Sequence, residues 1–572
     1  MPPHPIWIDP EPLPSHLPDL AGNALLNALL WRIGVRDRQA ASDFLSNRMR
    51  PSPDPFLLPN LDRAAHRVTT ALATGERIGI FGDYDVDGIT ATALLLTAFQ
   101  PAQREPEQVV ARLPRREEGY GLNEAALDEF EAEGVSLLIA VDCGSSDHHH
   151  VAAAQERGMD VVVLDHHLIV GESPEGAIVV SARLDPESPY LHCCSAAIAY
   201  LFTSALAQHG VPVDGGEGRP ETDLLDFVAL GTIGDVCPLT GVNRDFVRDG
   251  VRLIQRSPRP GIRALCDAAS VTPADLSSED IPFRITPRIN AAGRMGDPRI
   301  ALDLLLATDR WEASLLANEI ERINTRRKQI GDQIANEAEA QIHTDAGWES
   351  RACFVLHDEA WHAGVVGIVA GKFANRYGRP VVVLSDDGDY GRGSARSVPG
   401  FNIVEALSGR REIFDHFGGH SQAAGMTISL GLIDTLRDTL ESAVLATGLQ
   451  IPAPPSITIA ADVRLEHLTA ATFDAIERMQ PFGAGNERPI LRLRNVPVRE
   501  QLIMGQDRSH LRLTLGTGGN DIKAVFWSAA HRAKEALPGS RIDVAGVLRR
   551  DMWNGREQLR LELKDFRTSG ER

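Results

Sequence analysis

Three short apolar runs most constrain what this chain can fold into: Ile78-Gly79-Ile80-Phe81, Leu137-Leu138-Ile139-Ala140-Val141 and Val161-Val162-Val163-Leu164. Each has strand length, is apolar throughout rather than at alternate positions, and leads through polar residues into a helix-like segment. Strands read this way when both faces are buried, as in a parallel sheet covered on each side by its crossover helices. In such sheets the chemistry gathers at the carboxyl ends of the strands, so the residues just after each run are where to look.

A chain of 572 residues does not fold around one core. Arg310 to His343 has no Pro and one Gly, with Leu316, Ile320, Ile323, Ile330 and Ile334 on helical spacing. That predicts a long amphipathic helix bridging two lobes. A second α/β region follows, then the stiff linker Ile451-Pro452-Ala453-Pro454-Pro455. Alternating runs such as Leu511-Arg512-Leu513-Thr514-Leu515 predict a small β-barrel at the end. The expected fold class is therefore α/β, two α/β lobes joined by a long helix plus a C-terminal barrel. The expected division is an N-terminal cap on the next domain (1–60), a sheet domain (61–309), a connecting helix (310–345), a second α/β domain (346–451) and the barrel (456–566).

Composition mainly excludes. A net charge of −20 argues against non-specific coating of nucleic acid by the whole surface. Only five of the 58 basic residues are Lys, so any local cationic groove is made of guanidinium, which suits bidentate phosphate contacts. No apolar stretch approaches the roughly 20 residues a membrane helix needs, so no membrane association is expected. The start, Met1-Pro2-Pro3-His4-Pro5, carries no secretion signal. Six scattered Cys without a C-x-x-C pair fit a thiol-containing cytoplasmic enzyme.

The sharpest chemical signal is Phe81-Gly82-Asp83-Tyr84-Asp85-Val86-Asp87-Gly88-Ile89-Thr90. Asp83, Asp85 and Asp87 alternate at a strand end and can converge on one face. Like charges that close need a cation between them. A solvated Asp-rich turn is the plain alternative, but the pattern recurs in Val141-Asp142-Cys143-Gly144, Leu164-Asp165-His166-His167 and Gly231-Thr232-Ile233-Gly234-Asp235. Asp ligands with few His fit manganese or magnesium better than structural zinc, and two such ions suit in-line attack on a phosphodiester. His148-His149-His150 reads as a solvated helix start, and Cys143 has no basic partner that would make it a nucleophile.

Together these motifs resemble the DHH phosphoesterase family in its RecJ form. Asp165-His166-His167 is similar to the triplet that names the family, the segment 82–90 to its first motif, Asp142 to the second and Asp235 to the fourth. The resemblance implies two Mn2+ or Mg2+ ions on Asp83, Asp85, Asp87, Asp142, His166 and Asp235, with Asp142 bridging. It also implies that His167 acts beside the ligands at the transition state. Some relatives place a His four positions before the second Asp; Phe81 stands there, and Asp83 is expected to supply that ligand.

Arg115-Arg116-Glu117-Glu118-Gly119-Tyr120-Gly121 resembles a family segment that implies a 5′-phosphate contact for Arg115, a charged loop being the alternative. The decapeptide 287–296 is similar to P-R-L-N-A-A-G-R-M-G and makes Arg288, Asn290 and Arg294 substrate-binding candidates. Segments 391–397 and 417–425 resemble motifs of the DHH-associated domain. They imply that Ser394, Arg396, Gly418, Gly419 and His420 bind substrate, His420 also acting at the transition state. The turn 481–486 resembles the entry to an OB-like nucleic-acid-binding domain. There Arg508, Arg512, Phe526, Trp527, Arg549, Arg550 and Trp553 would suit stacked single-strand bases. Core packing accounts for Phe526 and Trp527 equally well.

The expectation is a single-strand-specific 5′–3′ DNA exonuclease that releases mononucleotides by a two-metal mechanism, in recombination and repair. The strand would thread between the lobes, which would exclude duplex sterically. The resemblance implies single-stranded DNA as partner, admits a single-strand-binding protein or a helicase beside it, and goes with a monomer. DHH phosphodiesterases of short oligonucleotides, cyclic dinucleotides or pyrophosphate are the first rival; they lack the barrel and the 287–296 motif. An inactive nucleic-acid-binding scaffold is the second, and would have lost acidic positions that are intact here.

Overall fold

The first strand, β1 (Ile6–Ile8), pairs in parallel with β12 (Ser456–Thr458), Ile6 facing Ser456. The computed structural model describes residues 4–46, 54–105, 107–216, 221–553 and 556–570. They form two compact units, one of Arg48–Gln333 with Pro481–Asn486, the other of Met1–Asn47, Ile334–Gln480 and Glu487–Arg572. The segment expected to cap the sheet domain therefore runs with the barrel instead. Trp7 Nε1 donates to Asp565 Oδ2 at 2.7 Å, Asp9 pairs with Arg492, and Arg567 reaches the Pro5 carbonyl. Paired backbone and buried polar contacts fix it there, which a helical pattern at 24–45 could not reveal.

In the unit built on Arg48–Gln333, β2 (Ile78–Gly82), β3 (Val109–Arg112), β4 (Leu137–Val141), β5 (Asp160–Leu164) and β6 (Ile178–Val180) form one sheet in the order β3-β2-β4-β5-β6, every pair parallel. All residues of β2 and β4 are buried. Ile78, Ile80, Leu137, Ile139, Val162 and Leu164 enter one core, with the helices Leu61–Thr74, Val86–Phe99, Ser195–Gln208 and Leu225–Gly234. Phe81, Leu138, Ala140, Val161 and Val163 enter a second, with Glu124–Ala132 and His148–Glu156. Each such buried side chain contributes about 1.5–3 kcal/mol relative to exposure, and a one-residue slip would exchange the two faces. The strand ends that carry the acidic residues are thereby fixed in register.

The long helix is Arg310–Thr344. In the other unit, β7 (Phe354–Asp358) and β8 (Val381–Asp387) are parallel, joined through the helix Ala363–Tyr377. Then β9 (Tyr390–Arg396), β10 (Phe414–His420) and β11 (Ala423–Ser429) complete a sheet ordered β10-β11-β9-β8-β7. The barrel comprises β13 (Ala461–Asp462), β14 (Leu491–Met504), β15 (His510–Leu515), β16 (Ile522–Phe526), β17 (Arg541–Trp553) and β18 (Arg556–Thr568). Pairing of β14 with both β15 and β17 closes it, so it has the expected OB-like form. Phe526 packs edge-on against the buried Phe566, whereas Trp527 remains 43% exposed. The side chain of Trp553 lies outside the described residues. Among the described residues no helix is long and apolar enough to cross a membrane.

Candidate metal centre

The residue after β2 begins a turn that is pressed onto the helix it feeds. A side chain at Gly88 would stand 2.5 Å from the backbone N and O of Asp83, so only glycine lets the turn close there. Asp85 caps the helix Val86–Phe99, accepting from the N–H groups of Asp87 and Gly88. The next free N–H, that of Val86, donates to Asn290 Oδ1 at 2.8 Å. Asp87 points elsewhere: its two oxygens accept from Ser195 N at 2.7 Å and Ala196 N at 2.9 Å, at the start of the helix Ser195–Gln208. A carboxylate is well placed at a helix N-terminus.

Asp142 follows β4 with a left-handed φ of 64°, a strained choice for a non-glycine residue. Its Oδ1 accepts from Ser195 Oγ at 2.9 Å and its carbonyl from Tyr120 Oη at 3.0 Å. After β5, Asp165 accepts from Ser145 N and, through Oδ1, from His167 Nδ1 at 2.8 Å. That bond orients the His167 ring, against which Tyr120 stands edge-on. His166 points inward. Its Nε2 lies 3.4 Å from Asp142 Oδ1, 3.6 Å from Asp235 Oδ2 and 3.9 Å from Asp87 Oδ2. Asp235 caps the far end of the helix Leu225–Gly234.

The sequence motifs thus converge. The donor atoms of Asp83, Asp85 and Asp142 lie within 4.8 Å of one another, as do those of Asp142, His166 and His167 and those of His166, Asp235 and Cys237. Phe81, at the position where some relatives have His, is wholly buried in the second core.

The electrostatics call for a cation. Burial and then the Asp85 charge push the Asp83 carboxyl up to about 8. Burial and then Asp87 raise Asp85 and bring Asp235 up to about 6. Asp142 is held well above the ordinary carboxylate range by burial and by Asp87, Asp85 and Asp83. Among the described residues no hydrogen-bond partner reaches the buried Oδ1 of Asp83 or Nε2 of His166. Oxygen donors with uncompensated charge and inward-facing orphan atoms are what a divalent ion would satisfy. Asp165 and His167 behave oppositely. Burial opposes both charges, but their mutual hydrogen bond holds Asp165 down to about 2 and His167 up to about 9. Burial raises the Cys143 thiol, which leaves no reactive thiolate beside Asp142.

Other candidates sit differently. Arg288 was expected to bind substrate, but it is buried. It donates to the carbonyls of Arg284 and Ala268 and pairs with Glu321 at 2.6 Å. Asn290 spends its oxygen on Val86 N. Asn290 thereby ties the helix Thr286–Met295 to the acidic turn, while Arg288 ties it to the carbonyls of Arg284 and Ala268 and to Glu321. Arg294 is half-buried. Arg115 is exposed and pairs with Asp297 at 3.0 Å. Ser394 and Arg396 lie on β9 beside Gly367, and burial lowers the Arg396 guanidinium. Gly418, Gly419 and His420 end β10 on exposed positions. As expected, His148–Glu156 begins a helix capped by Asp147. Tyr120, Ser195 and Cys237 join the site without an expected role; Tyr120 lies in the 115–121 segment and Cys237 two residues after Asp235, whereas Ser195 has no motif beside it.

Known proteins resemble this chain over most of its length. Residues 77–232 match the profile of the DHH family, N-terminal domain, residues 350–446 that of the DHHA1 domain and residues 459–565 that of the RecJ OB domain. The single-stranded-DNA-specific exonuclease RecJ of Bacillus subtilis is 32% identical over 95% of this chain and 68% of its own. That of Thermus thermophilus is 33% identical over 90% and 72%. A crystal structure of Thermus thermophilus RecJ in complex with Mn2+ superposes with a TM-score of 0.81 at 29% identity, covering 96% of this chain and 76% of that one.

Proposed function

We infer the reaction from kinship: this chain belongs to the RecJ family, and it degrades single-stranded DNA by metal-dependent hydrolysis of phosphodiester bonds. Its relatives are named single-stranded-DNA-specific exonucleases, and solved relatives carry Mn2+ or Mg2+. The finer reading is degradation from the 5′ end with release of mononucleotides. The metal-dependent chemistry is carried by the convergence of Asp83, Asp85, Asp142, His166 and Asp235 with orphaned buried atoms facing inward; the 5′ polarity rests on Arg115.

In this reading Asp83, Asp85, Asp142, His166 and Asp235 would hold two divalent ions, with Asp142 placed to serve both and Asp87 beside them. Bound there, the ions would lower the pKa of the attacking water and neutralise charge developing on the phosphodiester oxygens. The chain does the rest. Ser195 Oγ and the left-handed backbone hold Asp142 in one orientation. Asp87 ties the acidic turn to the helix Ser195–Gln208. Asp165 holds the His167 ring through Nδ1, which leaves Nε2 to donate to an anionic phosphoryl oxygen.

Arg115 suits a terminal 5′-phosphate, since its exposed guanidinium can exchange Asp297 for a phosphate dianion. Ser394, Arg396, Arg294 and the Gly418-Gly419-His420 end of β10 supply further phosphate contacts. Trp527, with Arg560 5.9 Å from its ring centroid, offers a surface for stacking bases. A monomer in the cytoplasm, working beside a single-strand-binding protein or helicase in recombination and repair, completes the proposal.

The test is digestion of a 5′-phosphorylated, 3′-labelled single strand with Mn2+, beside its duplex, its RNA equivalent and an Asp142→Ala variant. Stepwise loss of mononucleotides from the single DNA strand alone, abolished in the variant, supports the reading. Cleavage of dinucleotides or pyrophosphate but of no polymer would replace it with a small-substrate enzyme.

A further inference from the structure

We propose that Cys237 is a sulfur donor to the metal centre, opening its His166–Asp235 side to thiophilic cations such as Zn2+. The proposal rests on reading the Asp/His cluster as a metal centre and adds a residue that reading does not require.

The helix Leu225–Gly234 ends at Asp235, and the chain then reverses through Val236, whose φ is 58°. For a β-branched residue this conformation is uncommon, and it is held by the hydrogen bonds that terminate the helix. Val236 itself is 70% exposed, so its own packing does not account for the conformation. The reversal closes the helix, Val236 N–H donating to the Ile233 carbonyl and Cys237 N–H to the Thr232 carbonyl, and it leaves Cys237 beside Asp235, with Sγ 3.2 Å from Oδ2. The same oxygen lies 3.6 Å from His166 Nε2, which is buried and has no hydrogen-bond partner among the described residues. The three donor atoms stand within 4.8 Å of one another.

An imidazole, a carboxylate and a thiol make a softer set than the oxygens of Asp83, Asp85 and Asp142. Soft sulfur ligands select zinc and its like over manganese or magnesium. Three protein ligands with a fourth position open is also a coordination zinc accepts readily. When the cation binds, the thiol proton leaves to solvent and the sulfur lone pair makes the new bond, with nothing oxidised or reduced. Zinc would then compete with manganese at one side of the centre. The simpler role for Cys237 is that of a buried thiol donating to Asp235, which needs no cation.

Co2+ binding to the full-length chain separates these, because a cobalt–thiolate bond adds a near-ultraviolet charge-transfer band that oxygen and nitrogen donors do not produce. The expected result is that band in the wild type and in Cys143→Ser, and its loss in Cys237→Ser and Cys237→Ala. Zn2+ affinity by calorimetry should fall roughly 10–100-fold in both Cys237 variants, while Mn2+ affinity stays at the wild-type value. Metal-free melting curves report whether each variant is folded. Cobalt bound without the band, or a band that survives both substitutions, overturns the proposal and leaves the metal centre standing. Failure of the wild type to bind either Co2+ or Mn2+ overturns both.

Discussion

Asp83, Asp235 and His167 give the metal-free chain a definite pH response. The two carboxyls are raised, to about 8 and about 6, so the folded chain holds protons that the unfolded chain releases. Stability then falls as pH rises through those values. His167, raised to about 9, has the same sign: its contribution is full below its ordinary pKa and is lost as pH passes 9. In chelator the melting temperature should therefore drop steadily toward alkaline pH. Metal binding needs the two carboxyls deprotonated, so the rise caused by Mn2+ should grow as pH passes their values. At an ion concentration 100-fold above Kd it should reach about 2.7 kcal/mol, or roughly 5–10 °C. Identical melting profiles with Mn2+ and with chelator would sink the idea. Asn290→Ala tests a different role. It leaves Val86 N–H without its acceptor and should cost about 1 kcal/mol. If Asn290 positions the acidic turn, Mn2+ affinity falls as well; if it binds DNA, only KM rises. The acidic residues were legible because several like charges at the ends of buried strands repel one another unless a cation joins them. That Arg288 is buried and that Asn290 bonds Val86 N–H was not legible, because a motif does not say which of its side chains face inward. Ser195 left no signal, and Tyr120 only its place in the 115–121 segment, since their roles exist only once distant segments meet.

At the scale of elements, the acidic turn is held by contacts that leave no room for a methyl group. A Cβ at Gly293, in the helix Thr286–Met295, would fall against the carbonyl oxygen of Tyr84, far inside contact distance. Gly293→Ala should therefore push that helix off the turn and destabilise the chain by roughly 1–3 kcal/mol. It should weaken Mn2+ binding without touching a ligand; calorimetry with the metal, beside thermal melts, reads both. Full Mn2+ affinity in a destabilised variant would show that the helix does not register the turn. The strands of the parallel sheet were legible because burial on both faces writes a continuous apolar run. The long helix was legible because its apolar period is sustained over many turns. By contrast β1 has three residues and no room for a period, and its partner lies near the other end of the sequence.

For the molecule as a whole, the union of first and last segments makes stability of the barrel unit depend on residues far outside it in sequence. Removing residues 1–9 deletes the β1–β12 pairing, the Trp7–Asp565 hydrogen bond and the Asp9–Arg492 ion pair. The expected outcome by scanning calorimetry is a lowered barrel transition, with Mn2+ affinity at the sheet-unit centre retained. A fall in Mn2+ affinity equal to the loss in stability would instead mean that the units melt as one. Three domains were readable from pattern, because each carries its own period of apolar residues. Which domain the leading segment joins was not, because pairing across the sequence is written only in space. That pairing also bears on how the protein comes into being. Trp7 and Asp565 are 558 positions apart. A ribosome adding about 5–20 residues per second leaves the opening strand waiting roughly half a minute to two minutes for its partners to emerge. Throughout that interval the nascent chain carries an unpaired apolar edge. A product terminated before Ser456 never pairs that edge and stays marked for chaperones and proteases.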